Sequence, residues 1–252
     1  MRRALLYGLL LMLVSLHGVG QQVGSKPMEP VVFSLAAIEP WAERTPEGER
    51  RGLLVDLVED IRTRIDIPIR YQIRPHSRAI LEMENGDADF VPTFVAPGIS
   101  EIGRPVADLV EVEALVLGRV DDQSIEALSD LNGENVGYLS GTWYGHVFAA
   151  NEAINKVPVN NVAHGLNLLH RGRLRALVAT DVAIPSGVDL SKERSPVRTL
   201  LSLETLQGKI YMAHTSSRDK AAQAIAEAMQ AMHRDGTLER LFSNRYEAAI
   251  TP

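Results

Sequence analysis

Cysteine is missing from all 252 residues. That excludes disulfides, thiol catalysis, zinc–thiolate sites and a lipid-modified amino-terminal cysteine. Aromatics are scarce, at 5%, and the two tryptophans are Trp41 and Trp143. Basic charge is also short, 26 Lys and Arg against 32 Asp and Glu, for a net charge of −6. Nucleic-acid binding wants a basic face, so no nucleic-acid partner is expected. There is no Gly-x-Ser-x-Gly elbow and no phosphate loop. His146, His164, His170 and His214 lack metal-like spacing with acids. They read as structural or surface residues, and neither a metal nor another cofactor is expected. Long apolar runs are absent after the first residues. The run Ala4–Leu16 follows Arg2-Arg3 and precedes Gly18 and Gly20, the charged, apolar and small-residue order of a secretory signal peptide. It is shorter than the roughly 20 apolar residues of a membrane span. Loss of residues 1–20, with two arginines and no acids, would take the net charge from −6 to −8. The expectation is a soluble periplasmic protein with a cleaved signal peptide and no lipid anchor.

What is present is a repeated α/β grammar. With 45% hydrophobic residues, the chain can build one or two compact units. Val31–Leu35 reads as a buried strand, followed by an irregular stretch, Ala36–Arg51, that holds Pro40-Trp41. Leu54, Leu57, Val58, Ile61 and Ile65 recur at helical spacing, and Ile69–Ile73 alternates as a strand. Ser77 is placed to cap a helix over Arg78–Glu84 that ends at Asn85-Gly86, and Ala88–Val91 is a third strand. After an irregular Pro92–Val106, Val110–Leu117 resumes as a strand and the pattern repeats. Strands Val136–Leu139, Val157–Val159 and Ala176–Ala179 are separated by helices over Trp143–Ala153 and Gly165–Arg171. Leu200–Leu203 and Ile210–Ala213 read as further strands, with helices around Ala222–Met232 and Leu238–Tyr246. Alternation at this density implies mainly parallel sheets flanked by helices.

Val136–Phe148 is the stretch around which function is organised. Its strand runs into Ser140-Gly141-Thr142, with Thr142 expected as the N-cap of the next helix. Gly141 would let a ligand approach the backbone, and free N–H groups at the helix start would face an anion. Trp143 and Tyr144 stand beside it to cover a ligand body. An ordinary capped strand-to-helix turn is the alternative.

Several motifs in order resemble the family 3 solute-binding proteins of bacterial ABC importers. Pro40-Trp41 is similar to that family's early Pro-aromatic turn. Gly52–Ile61 resembles its first helix, and Pro75–Asp89 the helix leading to its Gly-x-x-Asp. Leu128–Thr142 resembles the opening of its second lobe, and Asp235–Leu241 its terminal Asp-Gly-Thr-Leu. The resemblance spans about Val31 to Tyr246. It implies a two-lobed periplasmic binding-protein fold, with lobe 1 over 28–114 and 213–252 and lobe 2 over 115–212. The hinge strands would be Glu111–Leu117 and Lys209–His214. It also implies a solute captured between the lobes, delivery to an inner-membrane ABC permease, no catalysis, and the monomeric state usual in the family.

With the anion-ready turn and the aromatic residues near it, Trp41 and Trp143 are expected to cover the ligand, while Arg78, Ser140, Gly141 and Thr142 receive an anionic group. Thr93 and Phe94, at the carboxyl end of the third strand, line the cleft, and Asp181 holds an amine or caps the next turn. The family's carboxylate-clamping arginine falls here on Glu101, with Arg104 three residues on. The family's amine-binding aspartate falls on Thr180, one residue before Asp181. The expected ligand is therefore a small polar or acidic organic solute, amino acids or derivatives among them. Two other readings share the fold. One is a receptor serving a sensor or chemotaxis partner. The other is a dehydratase of the cyclohexadienyl type using Glu39, Glu43 or Asp181 as an acid.

Overall fold

The computed structural model describes residues 28–185, 188, 190, 195 and 197–243. The expected signal peptide lies outside them. The chain runs β1 (Val31–Ala36), β2 (Glu43–Arg44), β3 (Arg50–Arg51), α1 (Leu53–Arg64), β4 (Ile69–Arg74), α2 (His76–Asn85), β5 (Phe90–Phe94) and α3 (Ile99–Ile102). It continues through β6 (Gly103–Arg119), β7 (Asn135–Leu139), α4 (His146–Ala150), β8 (Asn155–Val159), α5 (Val162–His170) and β9 (Ala176–Thr180). It closes with β10 (Val197–Ala213), α6 (Asp219–Arg234) and α7 (Thr237–Ser243).

Eight strands share one hydrogen-bonded order, β4-β1-β5-β10-β6-β9-β7-β8. Only β6 and β10, 17 residues each, extend through both halves. They pair antiparallel along their whole length. β5 joins β10 at Gly208–Met212, and β9 joins β6 at Ala114–Leu117, so a lobe hangs from each end of this ribbon. Within lobe 1, β1 is parallel to β4 and β5; within lobe 2, β7 is parallel to β8 and β9. The expected two-lobed α/β fold with two hinge strands is the observed one.

The hinge strands are longer than local pattern suggested. The irregular stretch before Val110 contains α3 and the first half of β6, including Pro105. Proline survives there because this half of β6 pairs with β10 alone, leaving an edge that needs no donor. Leu200–Leu203 and Ile210–Ala213 are parts of one strand, β10, whose register with β6 shifts at four places. Those shifts interrupt its alternation, so it reads locally as two strands.

Each helix buries one apolar stripe. Leu54, Leu57, Val58 and Ile61 of α1 are almost wholly buried, while Ile65 is an extended C-cap rather than a helical residue. Gly52 precedes α1 at φ 124°, where a Cβ would lie 2.7 Å from the Trp41 carbonyl oxygen. The glycine lets the Trp41 turn press directly on the helix start. Its tightness is visible in Leu54 N donating to Trp41 O at 2.8 Å. One apolar cluster includes Leu57, Phe90 and Ile225 of lobe 1 and continues to Tyr144, Phe148 and Val178 of lobe 2. Val112, Val116 and Leu206 of the hinge strands carry that cluster from one lobe to the other.

Candidate functional site

The carboxyl ends of β1, β5, β7 and β9 converge where the lobes meet, around a cavity of about 70 Å³. In parallel α/β units this is where ligands collect, because loops and helix starts leave a crevice there. Lobe 1 contributes Ala36, Ile38, Trp41, His76 and Pro92–Phe94; lobe 2 contributes Leu139, Thr142–Tyr144, Thr180 and Ala183. Leu109 and Gly208 of the hinge strands form its floor.

Trp41 is 7% exposed and meets Phe94 edge-on, with ring centroids 5.5 Å apart at 87°. It is at once a core side chain and a cavity wall. Across the cleft, Trp143 stands edge-on to His146 at 5.0 Å. Tyr144 is buried, and burial pushes its phenol up to about 12 against smaller opposing effects of the Leu139 backbone and the Thr142 hydroxyl.

The polar lining is sparse. His76 Nε2 lies 3.2 Å from the Thr93 hydroxyl, and burial lowers the histidine pKa, keeping the ring neutral. The Thr142 hydroxyl oxygen is buried and makes no well-formed hydrogen bond among the described residues, although it stands near enough to the Tyr144 phenol to act on it weakly. Thr180 is 2% exposed. Among the described residues, no Asp, Glu, Lys or Arg lines the cavity.

Two local expectations are corrected. Thr142 does not cap a helix over Trp143–Ala153: α4 is five residues long and begins after Gly145, whose φ of 93° breaks the turn. The first N–H of that helix, on His146, is already taken by the Glu204 carboxylate of β10 at 2.7 Å. A Cβ on Gly145 would collide with Glu204, so the glycine is what admits this long-range cap. The anion cradle read from local sequence is thus filled by the protein's own carboxylate. Likewise Ser77 is not the cap of α2. Pro75 precedes the helix at φ −48°, and its carbonyl accepts from Arg78 N and Ala79 N.

Of the residues singled out in the sequence, Trp41, Thr93, Phe94, Thr142 and Trp143 line the cavity. Arg78, Ser140, Gly141 and Asp181 do not. Arg78 turns to Glu82 one helical turn on, at 3.3 Å. Burial alone would raise the Glu82 carboxyl, but Ser34, Arg74 and Arg78 together hold it below the usual range. Ser140 and Gly141 are exposed at the turn. Asp181 Oδ1 accepts from the backbone N–H of Glu113 at 3.1 Å and of Val182 at 2.8 Å.

Glu101 is exposed on α3, and Arg104 pairs with Asp219 of α6 at 2.6 Å. Glu43 binds Arg51 at 2.7 Å, and partial burial beside Glu43 raises the Glu39 carboxyl. Neither glutamate lines the cavity. His76 was missed by sequence reading; its signal was its place between the breaker Pro75 and the helix start. Leu109 and Gly208 carried no local signal.

No known family description matches the chain, and no curated protein does so. Solved structures do. A mutant of ArgBP from T. maritima superposes with a TM-score of 0.70 at 16% identity, covering 86% of this chain and 94% of that one. The amino acid ABC transporter substrate-binding protein AbpA from Streptococcus pneumoniae, bound to L-arginine, gives 0.70 at 14% identity, covering 88% and 97%. A histidine kinase sensor domain with similarity to periplasmic binding proteins gives 0.71 at 14%, covering 87% and 96%. At such identities the likeness establishes the fold, that of two-lobed periplasmic binding proteins. Among the described residues, no helix is long and apolar enough to cross a membrane.

Proposed function

We propose that this chain is a periplasmic solute-binding protein that captures a small organic molecule between its lobes and delivers it to an inner-membrane ABC permease. The observation that carries the reading is the interlobe cavity at converging strand ends, spanned by only two hinge strands. Ligand contacts from both lobes favour the closed form, and bending of β6 and β10 accompanies release. The bulges in the β6–β10 ladder are where that bending concentrates. Likeness in fold to ABC transporter substrate-binding proteins supports the same role. One observation favours a second reading: the sensor domain is as similar as the importers' proteins, and capture by the same cleft would serve a signalling partner.

A thermal-shift screen against amino acids, organic acids, sugars and aromatic compounds tests the shared premise. A ligand that binds the folded state alone raises the melting point by mass action, about 2.7 kcal/mol at a hundredfold excess over Kd. Silence across the panel would count against solute binding. Co-purification of the ligand-bound protein with a permease or with a kinase ectodomain separates the two readings.

A further inference from the structure

We propose that the cleft takes a neutral, single-ring organic solute bearing one hydrogen-bonding group, rather than a free amino acid or a carboxylate. This deepens the solute-binding reading and rests on it. Size is the first argument. A cavity of about 70 Å³ holds roughly five to seven water-sized groups at ~10–15 Å³ each, the scale of one ring.

Charge is the second. Among the described residues no ionised side chain lines the cavity, and burial lowers the His76 pKa, which favours the neutral ring. Three charged groups around the cleft are already engaged within the fold. Arg78 pairs with Glu82, Asp181 accepts from two backbone N–H groups, and Glu204 caps α4. An ammonium or carboxylate brought here would lose its water and gain no counter-charge, which binding proteins for zwitterions must supply.

Shape and hydrogen bonding are the third argument. Trp41, Phe94, Trp143 and Tyr144 wall the space, and aromatic rings receive another ring edge-on or offset-stacked. Against them, the Thr142 hydroxyl is the one buried side-chain oxygen of the cavity wall that makes no well-formed hydrogen bond among the described residues, its interaction with the Tyr144 phenol being only a minor one. Buried polar atoms of native proteins are nearly all satisfied, so this hydroxyl marks the bond a ligand completes. A hydroxyl both donates and accepts, so it suits a neutral polar group.

Both tryptophans of the chain line the cavity, so intrinsic fluorescence reports its occupation directly. The probes are phenol and 2-pyridone, toluene as the ring without a polar group, and N-methylpyridinium and cyclobutanecarboxylate as charged compounds of similar size. L-arginine and L-glutamine complete the set. Expected is saturable binding of phenol or 2-pyridone, at least tenfold tighter than either charged compound or amino acid. Thr142→Val should weaken phenol five- to tenfold and leave toluene unchanged, with a melting point of the free protein no lower than that of the wild type showing that the fold is intact. Tighter binding of an amino acid or the carboxylate would overturn this ligand class while leaving solute binding standing. Equal loss of phenol and toluene in the valine variant, or no loss of phenol, would overturn the role of Thr142. Absence of ring binding, with a hit elsewhere in the thermal-shift panel, would overturn the proposal alone; silence in both assays would overturn the solute reading as well.

Discussion

Helix α2 has two buried polar neighbourhoods that solve the same problem in opposite ways. At its interior end Glu82 is 3% exposed and fully answered, by Ser34 at 2.7 Å, Gln72 at 2.8 Å, and Arg74 and Arg78 at 3.1 and 3.3 Å. At its first residue, His76 faces the cleft, where the described lining residues carry no charge and the Thr142 hydroxyl makes no well-formed hydrogen bond. A buried carboxylate costs too much unless it is paired, so its surroundings are built around it. An unpaired hydroxyl costs far less, on the order of 1–3 kcal/mol, and can be left for an incoming molecule to satisfy. The contrast separates polar residues that hold lobe 1 together from those available for binding.

The strongest way to break that contrast uses the two tryptophans. Trp41→Ala should destabilise the protein by about 3–5 kcal/mol in urea unfolding, because a nearly buried aromatic leaves a cavity in the lobe 1 core. Trp143→Ala, at a half-buried position, should cost markedly less while reducing the ligand-induced fluorescence change to the part that Trp41 reports. Equal costs would mean that the two walls of the cleft are structurally equivalent.

Next in size is Glu82→Ala, expected to cost about 3 kcal/mol, since it strands the Ser34 hydroxyl and two guanidiniums whose outer faces remain wet. Its folded pKa lies below the usual glutamate value, so its contribution is complete at neutral pH. The contribution fades as pH falls below the ordinary carboxylate range and through the folded pKa. Urea midpoints measured from pH 7 to pH 3 should fall less in Glu82→Gln than in the wild type, and parallel curves would remove Glu82 from the account.

The smallest expected effect belongs to His76. Burial lowers its pKa, so the unfolded chain binds the proton more readily. Stability contributed by the neutral ring is present above the ordinary histidine pKa of about 6.5 and declines below it. His76→Gln should flatten the urea midpoint between pH 7 and pH 5.5 relative to the wild type, and an unchanged slope would show that the ring is not shielded from water.

The fold was legible in advance because its periods are local. Leu54, Leu57, Val58 and Ile61 repeat at helical spacing, and their buried stripe is observed as expected. Trp41, Thr93, Phe94, Thr142 and Trp143 line the cavity where the anion-ready turn and the family resemblance together put them, whereas Arg78, Ser140, Gly141 and Asp181, placed beside them, do not. What failed was the inference of helix starts from single side chains. Thr142 and Ser77 have the right chemistry for capping, yet Gly145 and Pro75 set the starts through backbone angles.

By itself, then, the amino-acid order determined the strand–helix alternation, while the division into two lobes came from the family resemblance. The alternation follows from hydrophobic period and backbone stereochemistry, which act over a few residues. The tertiary structure alone decided which charges the cleft keeps. Glu204 reaches the start of α4 from 58 residues away, Arg104 turns to Asp219 across 115 residues, and Asp181 is held by the backbone of Glu113. Partners so distant in sequence meet only when the hinge strands bring the lobes together, and electrostatic pairing depends on that distance in space rather than along the chain.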